Sequence, residues 1–222
     1  RRYRRVAAPP SVTPMTPTTD DILGPTGPLA QAFHGYRPRE GQLAMARAVA
    51  DAIASETDLV CEAPTGTGKS VAYGVPVAKF VAEQRGRAVI VTANIALQEQ
   101  LVERDLPMLA RVLPWRFTFA LLKGRSNYVC QYRADAERQR LTLADDPEVR
   151  VLLAWADGSE TGDRSELDYE PDGRAWAAVS ATSEQCIGEA CPFAETCFSE
   201  QARAAADGAD IVVTNYHLLF AH

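Results

Sequence analysis

No stretch of about 18 consecutive apolar residues occurs in the 222-residue chain, so nothing in it reads as a membrane-spanning helix. No apolar segment follows the basic opening RRYRRVAAPP, which argues against a secretory leader. Internal repeats are absent. With 46% hydrophobic and 23% charged residues, the composition excludes collagen, a long coiled coil and wholesale disorder. Close C-x2-C pairs are missing, and five cysteines are an odd count for a disulfide framework. A basic excess is missing too: the net charge is −6, so whole-chain charge gives no support to a polyanionic partner. The expectation is a soluble, cytoplasmic protein of one domain, or one domain with an insertion.

The charge is unevenly divided. Residues 1–130 carry 16 basic and 11 acidic side chains, a balance of +5, while residues 131–205 carry 7 and 16, a balance of −9. Any nucleic-acid contact must therefore use a local surface; a solvated acidic face is the plain reading of the second half.

Residues 1–28 read as a flexible basic and Pro/Thr-rich head or linker, with four arginines in the first five positions and no apolar period. Apolar spacing then predicts a helix over 41–53, a short buried strand at 58–62 (DLVCE) and a helix over 71–82. A second buried strand follows at 88–92 (AVIVT), an amphipathic helix over 97–109 despite Pro107, and a third strand at 117–122 (FTFALL). This alternation is that of an α/β fold with a parallel sheet. Residues 131–156 look helical, residues 157–180 are acidic without a clear period, and an Ala-rich helix lies near 199–206. DIVVT (210–214) returns to the buried-strand style, so a segment of different chemistry interrupts one sheet.

Ala63-Pro64-Thr65-Gly66-Thr67-Gly68-Lys69-Ser70 fits the Walker A pattern, between a predicted strand and a predicted helix. Gly66 and Gly68 let the backbone wrap around phosphates with N–H groups pointing inward. Thr65 and Thr67 complete the cradle, Lys69 supplies a point charge, and the Ser70 hydroxyl is a Mg²⁺ ligand. These residues read as a site for a nucleoside triphosphate such as ATP. Upstream, Tyr36-Arg37-Pro38-Arg39 leads to Gln42, whose amide can meet an adenine as donor and acceptor together. An ordinary surface position on the first helix is the other reading of Gln42. No apolar strand ends in Asp-Glu, so the metal-holding acid of an ATPase is not found in this sequence.

Cys186-x4-Cys191-x5-Cys197, with Cys130 well upstream, offers four thiolates. Zinc, a [4Fe–4S] cluster and free buried thiols are all open on spacing, the loose intervals suiting the larger cluster. Cys61, inside the expected strand before the loop, reads as a packing residue.

Six segments together resemble the DinG/XPD group of superfamily 2 helicases, most closely its bacterial DinG-like branch: GYRPREGQ (35–42), EAPTGTGKS (62–70), VIVTANIALQEQL (89–101), LLKGRSNYVC (121–130), QCIGEACPFAETC (185–197) and ADIVVTNYHLL (209–219). The resemblance implies a RecA-like P-loop domain over 29–122 and 207–222, interrupted by a mainly helical iron–sulfur domain over 123–206. It implies an ATP- and Mg²⁺-dependent enzyme moving 5′ to 3′ on single-stranded DNA and unwinding forked or R-loop duplexes in repair or replication. Lys69 and Ser70 become the catalytic loop residues, and Arg37 and Gln42 nucleotide contacts. Cys130, Cys186, Cys191 and Cys197 become the cluster ligands. Thr92, Asn94 and Gln98 fall in the segment that touches the DNA backbone in such helicases; strand-to-helix capping, with Asn94 as N-cap, is their plain alternative. The family's DEAH box would lie beyond His222, so residues 1–222 alone are expected to hydrolyse essentially no ATP. A CRISPR-associated DinG-type helicase, a nucleoprotein-remodelling ATPase of the same fold, and a non-catalytic nucleotide- or DNA-binding fragment are the alternatives.

Overall fold

The computed structural model describes residues 17–140 and 146–220, and the chain divides into two compact units at Pro76. The first unit opens with α1 (Thr19–Leu23), started by a reciprocal cap. The Thr18 hydroxyl accepts from the Asp21 N–H, and the Asp21 carboxylate accepts from the Thr18 N–H at 2.8 Å. Ile22 and Leu23 are fully buried where α1 meets α2 (Pro28–Ala32) and α3 (Glu40–Ser55), and Arg47 pairs with Asp20 at 2.7 Å. Residues 17–28, expected to belong to a flexible head, are thus ordered by a cap and two buried side chains. Residues 1–16 of that head lie outside the described residues.

The strand expected at 58–62 does not form. Residues 58–62 pair with no strand among the described residues, and Leu59, Val60 and Cys61 are exposed, Val60 at 99%. An apolar run becomes a strand only where another strand's N–H and C=O groups meet its own. No described strand does so here, and Cys61 is not the packing residue its pattern suggested. The unit ends within α4 (Lys69–Gln84), whose Pro76 has no N–H to donate to the preceding turn.

The second unit holds a three-stranded parallel sheet in the order β1 (Ala88–Thr92), β3, β2. After β1, α5 (Ile95–Gln100) passes through a π-helical turn at Leu101–Asp105 into α6 (Leu106–Val112). The single expected helix is therefore three segments. The widened turn falls just before Pro107, which sits in the first turn of α6 where its missing N–H costs least. β2 (Phe119–Leu121) follows and is shorter than its apolar run.

Four helices come next: α7 (Gln131–Arg140), α8 (Pro147–Gly158), α9 (Gly173–Val179) and α10 (Phe198–Asp207). β3 (Ile211–Asn215) then enters the middle of the sheet, with Ile211 opposite Ala88 on one side and Phe119 on the other, and α11 (Tyr216–Leu219) follows. The segment between β2 and β3 has its own core. Val149, Leu152, Leu153 and Ala156 form one stripe of α8 and pack with Trp176, Val179 and Tyr128. The Trp176 indole donates to Ser126 O at 2.8 Å. The stretch 157–180 therefore contains a packed helix where its sequence showed no period. Among the described residues, no helix is long and apolar enough to cross a membrane.

Candidate functional site

In the first unit, the loop before α4 takes a conformation that its glycines make possible. Gly66 and Gly68 have φ of +81° and +79°, the region that side chains with a Cβ disfavour. Nothing lies within 4 Å of where a Cβ on Gly66 would stand, so that face of the loop is open to a close-approaching group. The Lys69 ammonium donates to Ala63 O at 2.7 Å and Pro64 O at 3.0 Å, curling over its own loop, and the Thr67 hydroxyl donates to Pro64 O at 2.9 Å. Ser70 is half-buried in the first turn of α4, and Thr65 is exposed.

The buried Gln42 amide donates to Gly68 O at 3.0 Å, and Arg39 donates to Gly66 O. Two side chains of the preceding segment thus hold the two glycine carbonyls. Gln42 is neither the free surface residue nor simply an adenine reader: one of its amide hydrogens is committed to the loop. Arg37 is exposed. Arg39 was not singled out from the sequence, because its contact spans 27 positions and carries no local signature.

In the second unit, Thr92, Asn94 and Gln98 lie at the C-terminal end of β1 and along α5. The Asn94 carboxamide caps α5 by accepting from Leu97 N at 2.9 Å, and the Thr92 hydroxyl donates to Asn94 O at 2.9 Å. Asn94 is exposed; Gln98 is fully buried, with no hydrogen-bond partner for either amide atom among the described residues. The capping alternative describes Asn94 as it stands, and Gln98 is not presented to a ligand.

The same unit contains a cavity of about 600 Å³ bordered by all four late cysteines, with Val129, Ile187 and Phe193 among its apolar walls. Cys130 enters from the start of α7, its N–H donating to Val179 O at 2.7 Å. Cys186, Cys191 and Cys197 come from a loop of short 3₁₀ turns, one of which uses a positive φ at Gly188. All four thiols are half-buried and none is in a disulfide. Burial pushes the Cys130 thiol up from its ordinary pKa, with Cys191 and Cys197 adding to the effect. No three His, Cys, Asp or Glu side chains among the described residues converge closely enough to hold a metal ion.

A family model described as DEAD/DEAH box helicase matches residues 44–141, from α3 through the loop and β2 into α7. The chain is 42% identical to the ATP-dependent DNA helicase YoaA of Escherichia coli, over 91% of this chain and 32% of that protein. It is 44% identical to the ATP-dependent helicase DinG of Mycobacterium tuberculosis, over 86% of this chain and 32% of that protein. Most of the chain is thus similar to helicases of the DinG/YoaA type, with a DEAD/DEAH box helicase match inside it. A DinG-like relative of Bacillus subtilis, named a 3′-5′ exonuclease, is 34% identical over 86% of this chain and 21% of its own length. The chain spans about a third of the length of the first two DinG-like relatives. The α/β fold with a parallel sheet, expected from the sequence, is the one found here.

Proposed function

We propose that this chain is part of an ATP-dependent DNA helicase that moves 5′ to 3′ along single-stranded DNA and unwinds forked or R-loop duplexes in repair or replication. The phosphate loop carries the reading: two glycines at positive φ, an open face and a lysine directed back over it. Triphosphate oxygens would draw the Lys69 ammonium from Ala63 and Pro64, a short movement of one flexible side chain. The Ser70 hydroxyl would hold Mg²⁺, which supplies charge neutralisation across the phosphates when bound. Arg37 would face the nucleotide from the segment that carries Arg39 and Gln42.

For Cys130, Cys186, Cys191 and Cys197 we assign a [4Fe–4S] cluster. The donor set supports it: four free, half-buried thiols border one cavity. Held by these four residues, such a cluster would tie the start of α7 to the loop before α10. The insertion's own hydrophobic core means that the cluster would fix this loop rather than fold the whole insertion.

The test is ATP hydrolysis by the complete protein with and without single-stranded DNA. Wild type should be stimulated by DNA, and Lys69→Ala should fall below about a tenth of it, a barrier rise above ~1.4 kcal/mol. Turnover above that level would overturn the loop assignment. Anaerobic preparations should contain about four irons per chain, lost in Cys191→Ser with the α8 and α9 helices intact. Stoichiometric zinc without visible absorption would overturn the cluster.

A further inference from the structure

Lys123 lies just beyond β2 with its side chain 1% exposed, and the functional reading above makes no use of it. Its ammonium has three hydrogens and three acceptors: Glu99 Oε1 at 3.0 Å, the Asp163 carboxylate at 2.8 Å and Ser165 Oγ at 2.8 Å. Each acceptor belongs to a different part of the unit from the lysine itself. Glu99 is on α5, the helix capped by Asn94; Asp163 and Ser165 are in the insertion, between α8 and α9. Asp163 is held in turn, accepting from Ser165 N at 3.0 Å and sitting opposite Tyr128 in an antiparallel bridge.

A buried ion pair is a poor device for stability alone, because an apolar residue of the same volume commonly does as well. What a fully satisfied charged node adds is geometry. The three hydrogens point in three fixed directions, and sliding α5 past the insertion strands a charge.

We propose that Lys123 is a positioning residue that holds α5 and the cysteine-bearing insertion in one register, so that the insertion moves with α5 during unwinding. This rests on the helicase reading, since coupling has meaning only where strand movement and unwinding are separate steps. Glu99 is the arm to cut: its removal leaves Lys123 paired with Asp163, a neutral buried pair.

The experiment measures base pairs unwound per ATP hydrolysed by the complete protein, alongside the melting temperature. Glu99→Ala should keep DNA-stimulated ATP hydrolysis within twofold of wild type while the unwinding ratio falls about tenfold. Glu99→Gln, whose amide oxygen still accepts from Lys123, should restore the ratio to within threefold. Glu99→Ala with a lowered melting temperature but an unchanged ratio would overturn the coupling role and leave the helicase reading intact. A wild-type protein that displaces no strand would overturn both.

Discussion

Gly68→Ala tests whether the loop geometry is the one that receives the nucleotide. Gly68 has φ of +79°, and an added Cβ would stand 2.3 Å from Gln42 Nε2. An L-residue held in that left-handed region costs about 1–2 kcal/mol. Moving Gln42 aside also breaks its 3.0 Å bond to Gly68 O, a loss of roughly 0.5–1.5 kcal/mol. The free loop can relax away from both penalties, so they fall on the bound state. A combined loss of about 2–3 kcal/mol corresponds to roughly 30- to 150-fold weaker binding. Titration of the complete protein with a fluorescent ATP analogue reads this directly. In a Gln42→Ala background only the backbone share remains, so adding Gly68→Ala should weaken binding by roughly 5- to 30-fold. Binding by Gly68→Ala within threefold of wild type would refute the reasoning, because the bound loop would not then require this glycine.

Asn94→Ala should cost about 1 kcal/mol of stability in urea unfolding by removing the cap of α5. Asn94→Asp should restore that cap yet weaken single-stranded DNA binding at low salt, if the exposed side chain faces a phosphate. Trp176→Ala removes the indole from the core around α8 and its bond to Ser126 O, and should destabilise the protein by about 3–5 kcal/mol in circular-dichroism melts. Burial, reinforced by the Asp163 carboxylate, pushes the Tyr128 phenol up to about 12, above its ordinary value of 10. That raised pKa stabilises the folded state fully below pH 10, and the contribution is lost as pH rises towards 12. The stability advantage of wild type over Tyr128→Phe, read as urea midpoints, should therefore shrink between pH 9 and pH 11.5, roughly the window of that shift.

β1 and β3 lie within one residue of their apolar runs because each run meets a pairing partner. The run at 58–62 is also apolar at its centre, through Leu59, Val60 and Cys61, but has no described partner; pattern records the tendency to pair, not the strand that satisfies it. Pro107 was visible, but not the π-helical turn that accommodates it, because that depends on how far α5 is already committed. The core between β2 and β3 has no contiguous signature, because α8 carries its stripe in one stretch and Trp176 and Val179 lie in another, joined by an acidic loop. At the site, local spacing marked Gly66, Gly68 and Lys69, since phosphate-loop chemistry is written in consecutive residues. The holds of Gln42 and Arg39 on those glycines span 26 and 27 positions and needed the fold to become visible. The four cysteines were legible as a set, and the cavity that gathers them was not.

The measurement that bears most directly on the central claim is strand displacement by the complete protein on duplexes carrying a single-stranded tail at one end. Unwinding should require ATP, should occur on 5′-tailed and forked duplexes but not on 3′-tailed ones, and should vanish in Lys69→Ala. A protein that hydrolyses ATP with DNA yet displaces no strand from either substrate, or one whose displacement continues without ATP, would contradict it.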